Sequence, residues 1–145
     1  MEITIGKPAL TDLPTLAQIY LDVRRETIDR ANPGIFRLED FSEHSSGETI
    51  LVARSGKGNI FGFISVWTAD DFIHMLYVSS QWRGLGVGSA LLRAIREWPV
   101  RPYRLKCLVK NPRAKEFYQR HGFTVVGYGK SPEGDYEEMT LPMKN

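Results

Sequence analysis

Between Gln81 and Ser89 the chain reads Gln-Trp-Arg-Gly-Leu-Gly-Val-Gly-Ser, so that Gly84, Gly86 and Gly88 alternate with apolar residues. An apolar run, Phe72 to Val78, comes before this stretch and a helical pattern follows it. A strand that passes through glycines into a helix is an anion site in principle. The first helical N–H groups have no internal partner, and the helix dipole favours negative charge there. Glycines leave such amides open to close approach. A tight, closely packed strand–helix turn would use the same residues. His74 lies in the preceding run, on the same strand parity as Phe72, Leu76 and Val78. Its imidazole, with a reference pKa of about 6.5, suits a proton acceptor near neutrality, and it suits a structural histidine equally.

Two common phosphate motifs fail here. G-x-x-x-x-G-K-[ST] needs a lysine after the glycines, and none follows. G-x-G-x-x-G needs another spacing and an acidic residue about 20 positions on, where this chain has Arg104-Leu105-Lys106-Cys107. The loop is therefore expected to hold a phosphate-bearing ligand of a different kind. At this point Val78 to Gly88 resembles the acyl-CoA signature of the GNAT superfamily of N-acyltransferases, [QR]-x-x-G-x-[GA]. The signature fits in two overlapping frames, Gln81 to Gly86 and Arg83 to Gly88. A second block, Asn111-x-x-Ala114-x-x-Phe117-Tyr118-x-x-x-Gly122-Phe123, is similar to the family's C-terminal motif.

The resemblance implies roles. Backbone amides of Arg83, Gly84, Leu85, Gly86, Val87, Gly88 and Ser89 would bind the CoA pyrophosphate. Backbone groups of Leu76, Tyr77 and Val78 would pair with the pantetheine arm, which requires the Phe72–Val78 and Arg104–Val109 strands to splay apart. Asn111 would bond the same arm, and Arg113 or Lys115 would meet the adenosine-side phosphate or simply be solvated. The implied reaction moves an acetyl group from acetyl-CoA to a primary amine by direct attack on the thioester. An alkylamine is mostly protonated at neutral pH, so a base must act, in some relatives only water. A backbone N–H at the splayed strand could meet the oxyanion. Tyr118 matches the family position that protonates the departing thiolate. For the base, His74 stands ahead of Glu26 and Glu43. A non-catalytic acyl-CoA sensor is the alternative reading.

These residues need positioning elements. Ile3 and Ile5 alternate in a short first strand, and Leu13, Leu16, Ala17, Tyr20 and Val23 recur at helical spacing after Thr11 or Asp12. Asn32-Pro33-Gly34 breaks that helix. The region to Gly47 is a short helix or loop anchored by Ile35, Phe36, Leu38 and Phe41. Strands over Thr49–Arg54 and Ile60–Trp67 flank a Ser55–Asn59 hairpin, and Phe72–Val78 is a third. Val87, Leu91, Ala94, Ile95 and Trp98 share a helical face stopped at Pro99. Arg104–Val109 is a strand, Asn111-Pro112 opens a helix that Gly122 ends, and strands Phe123–Tyr128 and Tyr136–Leu141 close the chain. Three consecutive central strands argue against a doubly wound sheet. The expected fold is α+β, a GNAT-like mixed sheet of about seven strands flanked by helices, in a single domain over 1–145.

Composition is that of an ordinary globular chain. Of 145 residues 42% are hydrophobic, and the net charge is only +2, which argues against a nucleic-acid binder. Cys107 is the sole cysteine and sits in an apolar run, so it reads as a strand residue. No apolar segment approaches the ~18 residues of a membrane span. The N-terminus lacks the marks of a signal peptide, so a cytoplasmic protein without membrane association is expected. His44, His74 and His121 are not ligand-spaced, and no metal is expected. The partner is expected to be a small-molecule or peptide amine, with a homodimer left open. Glu26, Asp29, Glu39, Asp40, Glu43, Glu133, Asp135, Glu137 and Glu138 make the two segments expected to flank the acceptor acidic. That points to a cationic acceptor, and acidic loops that are simply solvated would read the same.

Overall fold

A computed structural model describes residues 1–28 and 33–143. Asp29 and Asn32 therefore lie outside the described residues. Strand β1 (Ile3–Gly6) turns Ile3 and Ile5 toward the core. Helix α1 (Leu13–Thr27) carries a proline in its first turn, where no amide is needed. It buries Leu16, Ile19, Tyr20 and Val23, an i, i+3, i+4, i+7 stripe. After the short α2 (Asp40–His44) come β2 (Thr49–Ser55), β3 (Ile60–Trp67) and β4 (Phe72–Val78). Next are α3 (Val87–Ala94), β5 (Arg104–Leu108), α4 (Pro112–Arg120), β6 (Thr124–Ser131) and β7 (Gly134–Thr140).

The strands form one seven-stranded sheet in the order β1-β2-β3-β4-β5-β7-β6. β4 and β5 run parallel, and every other neighbouring pair is antiparallel. The sheet is mixed and flanked by helices, as expected. On one face α1 and α2 pack Leu16, Tyr20, Val23 and Phe41 against Val52, Phe63 and Met75. On the other, α3 and α4 pack Val87, Leu91 and Phe117 against Ile64, Ile73, Leu105 and Met139.

Three sequence expectations change. Helix α3 ends at Ala94, and Ile95 is extended, so Ile95 and Trp98 do not continue its face. The backbone before a proline resists helical geometry, and Trp98 precedes Pro99. Trp98 still reaches the core, stacking on Phe123 at 6.0 Å. In the connection after α1, Phe36 and Phe41 are buried, but Ile35 and Leu38 are exposed. The two phenylalanines suffice because the buried Arg24 joins them to α1. Its guanidinium lies over the Tyr20 and Phe36 rings and bonds Asp40 at 3.1 Å.

The third change concerns strand parity. Ser65 pairs with Met75 and Val66 with Ile73, which leaves His74 as an extra residue in β4. Such a bulge breaks alternation. Ile73, Leu76 and Val78 join the core on the α3–α4 side, whereas Met75 and Tyr77 join the one beneath α1. Phe72, His74, Leu76 and Val78 therefore do not share one uninterrupted face.

β4 is held tightly along its β3 edge. A Cβ built on Gly62 would lie 2.5 Å from the Tyr77 carbonyl oxygen and 3.0 Å from Val78 Cα. Backbone cannot step aside cheaply, so Gly62→Ala is expected to destabilise the fold by about 1–3 kcal/mol. Gly6→Ala, where a Cβ would meet nothing within 4 Å, is the control. Urea unfolding of the two variants checks this, and equal midpoints would disprove the close approach.

Candidate active site

β4 and β5 share one register pair, Phe72 with Arg104. The junction is clamped: Arg104 N donates to the Asp71 carbonyl at 2.9 Å, and the Arg101 guanidinium grips the Asp71 carboxylate at 2.7 and 3.1 Å. Beyond it the strands part. β4 keeps β3 on one edge and β5 keeps β7 on its other edge, so their facing edges make no ladder. An unmade buried backbone hydrogen bond costs about 1–3 kcal/mol, so edges of this kind are met by water or by a ligand.

The fork opens into a cleft of about 680 Å³. It brings together His74, Leu76, Tyr77 and Val78 from β4, and Arg83, Gly84, Gly86, Val87, Gly88 and Ser89 from the glycine loop. Asn111, Arg113 and Tyr118 reach it from α4 and its cap, and Lys106, Cys107 and Leu108 from β5. Val23, Thr27 and Ile28 of α1 close the far side. Two of the sequence candidates do not line it. Leu85 is 51% exposed, and Lys115 is drawn to Glu137 of β7 at 3.0 Å. Of the two cations considered, only Arg113 faces the cleft.

The glycines divide their work. Gly84 and Gly86 have φ of +76° and +85°, a region that L side chains rarely adopt. Gly88 serves packing instead: a Cβ there would meet the Phe117 ring of α4 at 3.2 Å. Arg83 N already points to the Ser80 carbonyl at 3.4 Å. From Gly84 to Ser89, no backbone carbonyl among the described residues accepts the loop and first-turn amides, while Ala90 N begins the helical pattern on Gly86 at 3.0 Å. The amides without a backbone acceptor among the described residues thus begin at Gly84. The Ser89 hydroxyl meets His121 Nε2 at 3.0 Å, fixing this turn to α4.

Asn111 caps α4: its Oδ1 accepts from Ala114 N at 3.3 Å, which leaves the side-chain NH₂ as donor. Tyr118 lies in the same helix among Phe117, Phe123 and the sheet. Burial pushes its phenol well above the usual value, so the proton stays on at neutral pH. The hydroxyl has no hydrogen-bond partner among the described residues. No sealed side-chain polar atom lacks one, so the phenol opens to the cleft.

His74 stands at the β4 bulge, its side chain 36% exposed. Its Nδ1 lies 2.6 Å from Glu48 Oε2, and Glu48 Oε1 accepts from the Ser65 hydroxyl at 2.5 Å. Ser65 is the register partner of Met75 and so points to the α1 side of the sheet. The imidazole and the Tyr118 phenol therefore approach the fork from opposite faces. Sequence reasoning did not single out Glu48 or Ser65. The other base candidates are engaged elsewhere or remote: Glu26 meets Arg83 at 3.7 Å, and Glu43 does not line the cleft. Among the described residues no three His, Cys, Asp or Glu side chains cluster as a metal site. No helix there is long and apolar enough to cross a membrane.

A family model for the GNAT acetyltransferase domain matches residues 46–125, the stretch from β2 through the fork, loop and α4. The chain belongs to the GNAT acetyltransferase family. It is an acyltransferase, and the family's chemistry is acetyl transfer. A search of curated proteins finds no match. Solved structures share this GNAT fold at low identity. The apo form of YjaB from Escherichia coli superposes with TM-score 0.78 at 20% identity, over 99% of this chain and 100% of that one. A GNAT-family acetyltransferase from Bacillus cereus gives 0.73 at 20%, over 100% of both chains. A chimera of spermidine N-acetyltransferase SpeG from Vibrio cholerae and hSSAT gives 0.70 at 15%, over 97% and 95%.

Cys107 lines the cleft but is not built to react. Burial, reinforced by Glu137, pushes its thiol up to about 11. Only the thiolate alkylates, so at pH 8 Cys107 should react with iodoacetamide roughly a hundredfold more slowly than a free cysteine. The rate should climb as pH rises toward that value. Mass-spectrometric labelling reads both, and free-cysteine rates at pH 8 would refute the sealed environment.

Proposed function

We propose that this GNAT protein acetylates a primary amine with acetyl-CoA, His74 taking a proton on one face of the β4–β5 fork and Tyr118 giving one on the other. The observation that carries the reading is the fork itself, opened between an imidazole and a protonated phenol. The surroundings fit the acyl donor. The amides from Gly84 to Ser89 lack backbone acceptors among the described residues and suit a pyrophosphate. The free edge of Leu76–Val78 suits the amides of pantetheine as an added strand would. The Asn111 NH₂ and the Arg113 guanidinium complete the set of donors.

Acetyl-CoA supplies the activated acyl carbon. The chain's residues manage the protons. His74 Nε2 accepts one from the incoming ammonium, which restores the nitrogen lone pair. The C–N bond forms, the C–S bond breaks, and Tyr118 Oη protonates the departing sulfur; the new amide nitrogen then sheds its second proton, which restores the phenol, and His74 passes its own to solvent. Because His74 faces the α1 side, the amine enters there, while CoA lies toward α3 and α4.

The acceptor is a small-molecule amine, a lysine or an N-terminus. The acidic count favours a cation less than the bare sequence does. Glu39 pairs with Arg37, Asp40 with Arg24, Glu137 with Lys115 and Glu138 with Arg104. Glu26 pairs with Arg83. Glu43, Glu133 and Asp135 carry no ion pair among the described residues, and the preference for a cation rests on these.

Thiol release from acetyl-CoA, screened against polyamine, amino-acid and peptide amines, tests the reaction. Faster turnover of cationic than of neutral amines is expected, and equal rates would remove the charge argument. Tyr118→Phe should lower kcat by about 10²-fold while acetyl-CoA Kd stays within about twofold. Unchanged kcat would take the phenol out of the chemistry.

A further inference from the structure

The β4 bulge gives His74 a partner that its own strand lacks. Glu48 arrives from just before β2, 26 residues away in sequence. Gly47, with φ of +78°, turns the chain there, beneath the Trp67 ring. The Glu48 side chain is only 7% exposed, and both oxygens are used: one faces His74 Nδ1 and the other accepts from Ser65. A carboxylate turned inward among apolar strands costs desolvation unless it is fully bonded. The arrangement meets that cost and holds the carboxylate in one orientation.

We infer that Glu48 is the positioning residue of this enzyme, holding His74 in the tautomer that presents Nε2 to the acceptor amine. The inference rests on the proposed role of His74 as base. A carboxylate oxygen only accepts, so Nδ1 carries the hydrogen in the neutral ring and the lone pair is left on Nε2. Once Nε2 takes the amine proton, the ring is a cation 2.6 Å from an anion already in place. No reorganisation is then needed at the moment of transfer. Ser65 holds the carboxylate in turn. The other charged groups lining the cleft on this side are Lys106 of β5, which lies over the Tyr136 ring, and Arg83, which pairs with Glu26 of α1. Arg104, earlier on β5, is taken by Asp70 and Glu138. The α1 residues facing the cleft, Val23, Thr27 and Ile28, carry no charge. Glu48 is thus the anion in direct contact with the imidazole.

The test combines variants and nitrogen-15 NMR of the histidine ring. Glu48→Gln keeps shape and a hydrogen-bond acceptor but removes the charge. It should lower kcat by about tenfold or more and leave acetyl-CoA Kd unchanged. Glu48→Asp should recover part of the rate. If His74→Gln turns over at the wild-type rate, the base reading itself fails. If His74→Gln is slow but Glu48→Gln keeps the wild-type rate, the base reading stands and the positioning role is overturned. The wild-type protein gives an answer that needs no variant to fold. At neutral pH its His74 should show a protonated Nδ1 and a bare Nε2, and the opposite tautomer would overturn the inference.

Discussion

The arrangement depends on how little β4 and β5 touch. A parallel pair inside a mixed sheet ordinarily continues its ladder, since each unmade bond costs free energy. Here the ladder stops at Phe72 and Arg104, and the Arg101–Asp71 clamp keeps that end shut. Everything beyond is open. β4 cannot drift across the gap, because β3 holds its other edge so closely that Gly62 has no room for a side chain. A cleft with strand edges for walls is the consequence. The helices and loops decide what lines it.

The bulge at His74 turns that opening into a two-sided site. By adding one residue it sends Met75 and Tyr77 to the α1 face and Leu76 and Val78 to the other. It also frees the imidazole from the ladder, so that its direction is set by Glu48 rather than by strand register. On the opposite face, α4 is drawn close by Gly88 against Phe117 and by Ser89 against His121. The same packing that seats the glycine loop brings Tyr118 to the cleft wall. Loop and phenol are thus fixed by one helix–helix contact.

Much of this could be read from the residues. Element order, the mixed sheet and the glycine loop followed from periodicity and turn chemistry, which are local. The gathering of Asn111, Tyr118 and the loop was what the resemblance of the two motifs to the GNAT family implied. Bulges were not legible, because nothing in the run Phe-Ile-His-Met-Leu marks where a strand gains a residue. That is why alternation misassigned the face of His74. Glu48 was missed for a related reason. Counting back through two hairpins brings it near Ser65 and His74, but bulges between Ala53 and Arg54 and between Ser65 and Val66 shift the count. The ion pairs that absorb the acidic residues depend equally on register. Glu138 meets Arg104 across the β5–β7 ladder, and Lys115 reaches Glu137 from α4.

Tyr118 and His74 sit in different surroundings, and the difference matches the direction of proton transfer proposed for each. The phenol is lodged among Phe117, Phe123 and the strand residues of the α3–α4 core. Burial there penalises the phenolate, which suits the acid role proposed for it. The imidazole is more than a third exposed and backed by a carboxylate, which suits the base role proposed for it: a cation formed there would have a counter-ion and a path to solvent. Exchanging the two environments would strand a buried imidazolium without a counter-ion. The two sides of the fork are therefore not interchangeable. The β4 bulge places the imidazole outside the core while α4 keeps the phenol within it, and in the proposed reaction that contrast would set the direction across the fork.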